Sequence, residues 1–268
     1  MRIPVSTCAV VALLASASPA VAQFNVPAPP APGEDYRVEI GAALWSPTPS
    51  LVIGGDGLTV LGEEVDFVQE FGIESKRFTE FRVTLKPGQK HKIRFHYIPF
   101  RYEADATIQR RIVFGGQVFD IGVPATADVE WRMWRIGYEW DFISRQAGFL
   151  GLVAEMKYNT VTAQIDSAVG SASVDAKAPV PAIGGIARGY LTESIALTGE
   201  LTGFKMPDAI SEEFEADFWD WDVYATVNLG RNAGILGGYR SVDVEYLADE
   251  DLGRLTMKGW YFGGVVRF

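Results

Sequence analysis

Cysteine is almost absent from this chain of 268 residues, and its single copy is Cys8. No disulfide framework, thiol catalysis or cysteine-bound metal can be built from the residues that follow it. Histidine is nearly as scarce, with only His91 and His96. Basic residues are also in deficit, with 24 Lys and Arg against 34 Asp and Glu and a net charge of −10. That balance argues against nucleic acid as a partner and against docking on anionic lipid headgroups. After residue 23 no apolar run approaches the length of a membrane-spanning helix. Helical spacing of apolar residues is nearly missing too. Yet 48% of the chain is hydrophobic and 12% aromatic, which is rich for an acidic protein. The apolar residues must be spread in another pattern, and that pattern is alternation.

The chain opens with Arg2, an apolar stretch from Val5 to Ala17, and then Ala20-Val21-Ala22. Charge, short apolar core and small-x-small site together read as a secretory leader over residues 1–22, cleaved before Gln23. The apolar core is too short for a retained anchor, and Cys8 lacks a lipobox. Residues 23–35 carry Pro27, Pro29, Pro30 and Pro32 and read as an extended tail without a fold of its own. Residues 36–268 read as one domain.

Within that domain apolar and polar residues alternate. Val38, Ile40, Ala42 and Leu44 are interleaved with Arg37, Glu39 and Gly41, and Trp219, Trp221, Val223, Ala225, Val227 and Leu229 with Asp220, Asp222, Tyr224, Thr226 and Asn228. Such period-two segments are half-buried strands. About ten are expected, near 36–46, 78–86, 90–103, 126–142, 148–165, 181–191, 194–205, 217–229, 233–246 and 254–268. Tight turns fall at 86–90, 143–147, 191–194 and 230–233. Long loops fall near 47–77, 104–125, 166–180 and 206–216, with a shorter one at 247–253. The fold class is all-β: an antiparallel up-and-down transmembrane barrel of about ten strands, with eight to twelve as the range. Short turns at one rim and long loops at the other are the pattern of outer-membrane barrels, with the short turns in the periplasm. The segment 104–125 leaves two options, an extra hairpin above the membrane or two further wall strands.

A soluble sandwich also alternates, so the direction of the two faces needs separate evidence. The polar face carries charges of both signs: Glu39, Glu80, Arg82, Arg94, Glu139, Glu155, Lys157, Glu200, Asp222 and Asp243. A closed barrel would turn these inward, where they can pair. Aromatics gather near strand ends, as in Tyr138, Trp140 and Phe142 and in Trp219 and Trp221, which suits an interfacial girdle. The last strand ends Gly263-Gly264-Val265-Val266-Arg267-Phe268. Its Gly263, Val266 and Phe268 resemble the assembly signal of bacterial outer-membrane barrels. Lys90–Tyr102, Gly137–Phe142 and Tyr261–Phe268 are similar to a little-characterised group of proteobacterial and acidobacterial barrels. In architecture the whole resembles the OmpA/OmpW-like class of small barrels. The resemblance implies an outer-membrane location, contact with the bilayer and lipopolysaccharide, and delivery by the outer-membrane assembly machinery. It carries over no functional residue. One position resists the scheme. Arg240 shares the parity of Leu236, Val242 and Val244, which would face lipid, so a bulge near Gly237-Gly238 is expected to turn it toward Asp243 or Glu245.

Candidate chemistry is thin. Barrel hydrolases place histidine at the extracellular rim, whereas His91 and His96 follow the short turn at Pro87-Gly88, so no catalytic residue is assigned and no enzyme is expected. Acidic groups recur in the long loops, at Glu63, Glu64, Asp66 and Glu70, at Glu212, Glu213, Glu215 and Asp217, and at Asp249, Glu250 and Asp251. They lack the spacing of a calcium loop and read as solvated faces. Gly54-Gly55-Asp56-Gly57 lacks the Lys-Ser/Thr of a phosphate loop and reads as a turn. No cofactor or metal is expected. The function expected is that of an integral barrel with a structural role or a narrow passage for ions or small solutes. Surface-ligand binding through the acidic loops is the alternative, and an outer-membrane hydrolase is the third reading.

Overall fold

The computed structural model describes residues 31–54, 65–205, 214–248 and 251–268. In chain order these form β1 (Val38–Gly54), β2 (Val65–Asp66), α1 (Phe67–Phe71), β3 (Phe78–Gly88), β4 (His91–Thr107), β5 (Ile112–Phe114), β6 (Gln117–Phe119), β7 (Pro124–Arg145), β8 (Gly148–Ser167), β9 (Gly170–Tyr190), β10 (Ile195–Lys205), β11 (Phe214–Asn228), β12 (Ala233–Ala248) and β13 (Asp251–Arg267). Ten of the strands form a wall in which each pairs antiparallel with the next. The ring closes where β13 returns to β1, with Glu39 opposite Arg267 and Gly54 opposite Leu252. Closure leaves every wall strand with a neighbour on both sides, although β4 and β9 extend beyond the described pairing with β3 and β10. The backbone of Phe268 completes the seam: its carbonyl accepts from the Arg37 and Val38 amides at 2.7 and 3.1 Å.

The expected ten strands are the observed ten, but several run further than the alternation suggested. β7 has 22 residues, β8 20 and β9 21, where a bilayer needs about 9–11. The expected loop at 166–180 is therefore mostly wall, with a tight connection between Ser167 and Gly170. Residues 47–54 likewise belong to β1. The open question at 104–125 resolves into a separate β5–β6 hairpin off the wall, flanked by the ends of β4 and β7. Residues 1–30, which hold the leader and the prolines before Pro32, lie outside the described residues, as do 55–64, 206–213 and 249–250.

The wall changes polarity part-way along every long strand. On β7 the outward residues from Trp134 to Phe142 are Trp, Ile, Tyr, Trp and Phe, but above them come Arg132, Glu130, Asp128 and Thr126. The inward set does the reverse: Glu139 and Arg135 below, then Met133, Trp131, Val129 and Ala127 above. β8 switches at the same level, with Met156 and Tyr158 outward below Thr160, and Lys157 inward below Val161. The outward apolar band thus occupies about ten positions per strand, and an outward row of aromatics marks its upper edge. Tyr97 lies opposite Trp134 with ring centroids 4.2 Å apart, and Tyr239 opposite Trp260 at 5.1 Å.

Above that row the interior is a dry core. Phe100 packs against Trp45, Phe78 and Trp131 at centroid distances of 5.4, 5.2 and 5.1 Å. Phe67 and Phe71 of α1 and Phe114 and Phe119 of the hairpin are buried and close its top. The Asp66 carboxylate caps α1 by accepting from the amides of Val68 and Gln69, as an N-cap should. Glu70 ties α1 to Arg110 beside the hairpin at 2.5 Å.

Candidate functional site: the ion-paired lumen

Below the dry core the lumen is charged. Pairing register sets up the problem that the site has to solve. Arg82, His96, Arg135 and Lys157 are consecutive cross-strand partners on β3, β4, β7 and β8. All four point inward. Like charges placed directly opposite are destabilising, so this row needs carboxylates brought to it. They come largely from the far wall, β10 and β11. Arg94 reaches Glu200 at 2.6 Å, Arg135 reaches Glu200 at 3.0 and Asp220 at 3.2 Å, and Lys157 reaches Asp220 at 2.8 Å. Arg82 contacts Asp222 at 3.3 Å, and Tyr261 donates to the same carboxylate at 2.6 Å. From β12, Arg240 bridges Asp220 at 2.7 Å and Glu80 at 3.3 Å. Except for Arg240–Asp220, which joins the neighbouring strands β12 and β11, these contacts link strands that are not neighbours in the wall.

Local pairs fill in the remainder. Glu80 accepts from Arg82 at 2.6 Å and faces His96 at 3.1 Å. Glu155 sits between Arg135 at 2.9 Å and Lys157 at 3.1 Å, and Lys92 meets Glu139 at 2.6 Å. Arg267 pairs with Glu39 at 2.5 Å. Removing charges from water costs several kcal/mol per ion unless geometry and further hydrogen bonds compensate. Here most carboxylates touch two or more cations. Lys157 and Arg240 also lie over the rings of Phe218 and Trp45, at 4.1 and 5.3 Å, which joins the charged layer to the dry one above. Toward the short turns a cavity of about 60 Å³ remains.

Of the ten residues expected in this network, the structure brings together Glu39, Glu80, Arg82, Arg94, Glu139, Glu155, Lys157, Glu200 and Asp222. Asp243 is the exception: it lies on the outward parity of β12 and accepts from Ser241 at 2.9 Å. The reading of Arg240 is corrected with it. β12 pairs with both neighbours without a register shift, so there is no bulge at Gly237-Gly238. Arg240, Leu236 and Val242 share the inward face and are buried. The parity was misjudged because apolar side chains mark lipid only below the aromatic row, and Val242 and Val244 lie above it.

Several members went unrecognised in the sequence. Asp220 and Arg135 sit on the same parity as Asp222 and Glu139, two and four positions away, so following the alternation that far would have found them. Glu34 and Arg188 gave no such signal. Residues 31–35, read as the end of an extended tail, are seated on the barrel: Glu34 reaches into the short-turn mouth and pairs with Lys86 at 3.0 Å and Arg188 at 2.8 Å. Burial would raise the pKa of its carboxyl, but Lys92, Arg188 and Lys86 together hold it well below the ordinary carboxylate range. His91 sits on the outer face at a short turn, with Nδ1 2.5 Å from the Tyr138 hydroxyl. In the C-terminal strand Val266 and Phe268 project outward, and Gly263 packs against Ala42 and Ala43 of β1. Of the acidic loop residues, Asp66 caps α1, Glu70 pairs with Arg110, and Asp217 approaches Lys205 at 3.7 Å. Glu63, Glu64, Glu212, Glu213, Asp249 and Glu250 lie outside the described residues, as does most of Gly54-Gly55-Asp56-Gly57. Among the described residues no three metal-ligating side chains converge.

No family model and no curated protein matches this chain. Among solved structures it is similar to the outer membrane protease OmpT from Escherichia coli, with a TM-score of 0.59 and 9% identity over 88% of this chain and 97% of that one. The fold is that of an outer-membrane β-barrel. Identity so low extends the likeness to the fold and not to the chemistry of a protease. Ail, the attachment invasion locus protein of Yersinia pestis (TM-score 0.38, 10% identity, 87% and 99% covered), and the translocator domain of the autotransporter NalP from Neisseria meningitidis (TM-score 0.42, 12% identity, 88% and 91% covered) are more distant. They add nothing to the argument.

Proposed function

We propose that this barrel is an integral outer-membrane protein with a closed bore, exported by the leader at residues 1–22 and inserted with its short turns toward the periplasm. The carrying observation is the set of ion pairs that cross the lumen, from Arg94 and Arg135 on one wall to Glu200 and Asp220 on the other. Direct contacts across the bore, together with the packed apolar core above, support a bore without a continuous water column. Ten strands suit such a filled interior, whereas open channels need about sixteen. This supports a structural role over a narrow passage. The outward apolar band and its aromatic row support the bilayer as the surrounding medium. Lipopolysaccharide and the assembly machinery are the partners this setting supplies.

The decisive test is conductance. Purified barrel in planar bilayers should give no stepwise ion current, and liposomes carrying it should exclude small sugars; steady channel openings would overturn the closed-bore reading. Location is tested separately: a tag near Ser171 should be reachable on intact cells and one at Gln89 should not.

A second reading, surface-ligand binding, is favoured by the extension above the aromatic row. That extension has its own dry core and a charged outer face, so it forms a rigid pedestal for the connections at its top. The positions of His91 and His96, one at a short turn and one within the lumen, weigh against an extracellular hydrolase.

A further inference from the structure

The short-turn mouth of the lumen holds an arrangement that the cross-bore network does not require. Lys86, Lys92 and Arg188 come from three wall strands and converge on one carboxylate that belongs to none of them, Glu34. Arg188 Nη1 donates to Oε1 at 2.8 Å, and the Tyr190 hydroxyl donates to the same oxygen at 3.1 Å. Lys86 Nζ donates to Oε2 at 3.0 Å and to the Glu34 carbonyl oxygen at 2.7 Å, and Lys92 Nζ lies 3.8 Å from Oε2. The three cationic side chains are 7%, 3% and 9% exposed. The incoming segment is shaped to its seat. Pro32–Glu34 make a single 3-10 turn, closed by the Glu34 amide donating to Ala31 at 2.7 Å. Gly33 passes so close to Asn228 that a Cβ there would lie 2.8 Å from Nδ2, so a larger residue would have to displace that side chain. Lys86 and Arg267 lie over the ring of Tyr36. Behind this seat is the cavity of about 60 Å³, whose lining includes Tyr36, Lys92, Arg188 and Thr226.

We propose that the short-turn mouth is a carboxylate-binding site, occupied by the chain's own Glu34 as a tethered plug over the cavity behind it. The ligand class is an aliphatic carboxylate on a short stem, as on a glutamyl side chain. The chemistry is that of charge-assisted donors converging from separate strands on both oxygens of one anion. A planar guanidinium and a phenol fix Oε1, and two ammonium groups neutralise Oε2. Three residues separate Glu34 from the first wall strand at Val38, so the tether confines the plug near its seat. A short flexible tether gives an effective concentration on the order of millimolar, and a free carboxylate competes only above that range. Under the orientation proposed above, the site opens to the periplasm, but the site itself does not depend on that orientation.

The test uses the mature barrel in detergent, with Thr226→Cys placed in the cavity as the only cysteine. A small neutral methanethiosulfonate reports access, and the heat-shifted gel band reports folding. With Glu34 intact, labelling should be slow. Glu34→Ala should speed it at least tenfold, and acetate or propionate should slow it again, saturably. Glu34→Gln should accelerate labelling by a smaller factor, because its amide still fills the seat, and it provides the comparison if the alanine variant does not fold. Unchanged labelling in the folded variants would overturn the plug. Protection by chloride equal to that by acetate at matched ionic strength would overturn the carboxylate site, leaving only general screening. Neither outcome bears on bore closure, which conductance reads independently.

Discussion

Arg240 offers a sharp test of whether the lumen is a structural core. Its side chain is fully buried and holds Asp220 at 2.7 Å and Glu80 at 3.3 Å. Arg240→Met keeps most of the volume and removes the charge. Removing one partner of a buried pair costs about 3–5 kcal/mol, because an uncompensated ion is left behind. The loss here should fall at the low end, since Asp220 keeps Lys157 at 2.8 Å and Arg135 at 3.2 Å, and Glu80 keeps Arg82 at 2.6 Å. A loss of about 3 kcal/mol lowers the folding equilibrium constant roughly a hundredfold. The assay is urea unfolding in lipid vesicles, read as the fraction of folded, heat-shifted band. Asp220→Asn should destabilise by itself, since it also strips Lys157 and Arg135, but it should cost less in the Arg240→Met background than in the intact chain, with a coupling of about 1 kcal/mol or more for groups in one network. A single-variant change below about 0.5 kcal/mol, the range of ordinary surface substitutions, would refute the reasoning. So would strictly additive effects in the double variant.

Three further outcomes follow from the same structure. The Glu34 carboxyl is held below its ordinary value of 4.5, so docking of the plug adds stability that is complete above about pH 4.5 and drains away as acid titrates it toward its lower folded value; the Thr226→Cys labelling rate, divided by that of the same thiol in unfolded protein at each pH to remove the thiolate dependence, should therefore rise below pH 4.5 and stay flat from pH 5 to 8. Deleting Phe268 removes the backbone contacts that close the seam at Arg37 and Val38, so folded yield in membrane fractions should fall sharply at matched expression, with less harm to barrels refolded in detergent. Arginine at Ile136, midway along the outward apolar band, should cost about 2–4 kcal/mol in vesicle unfolding, whereas Thr162→Arg above the aromatic row should cost almost nothing; equal costs would misplace the membrane.

The alternation in β4, β7, β8 and β11 was strong enough to reveal the wall, the strand number and most of the paired charges. What it could not convey was direction. A period-two pattern distinguishes one face from the other without saying which is wet. In this barrel the answer changes within a strand. Trp134 and Trp131, three residues apart on β7, are both apolar, and one faces out while the other is buried in the dry core. The same ambiguity misplaced Arg240 and Asp243 and made the upper halves of β1 and β9 look like loops, since Thr48 and Ser50 on one and Ser171, Ser173 and Asp175 on the other face outward and resemble a solvated connection. Glu34 was invisible for a different reason. A carboxylate beside four prolines has no periodic context, and its three cations are about 50 to 150 residues further along the chain.

The reversal of polarity at a single level also fixes how high the protein rides in its membrane. Sliding the barrel outward by one inside–outside repeat, about 6–7 Å along a strand, would lift part of the apolar band into water. Sliding it inward by the same amount would drag Arg132, Lys177 and Lys258 into hydrocarbon, where each charge is costly. Both displacements are opposed, and by side chains on many strands at once, so the barrel has a built-in depth gauge. The height at which its surface connections stand above the lipid is thereby set by the wall, whatever sequence those connections carry.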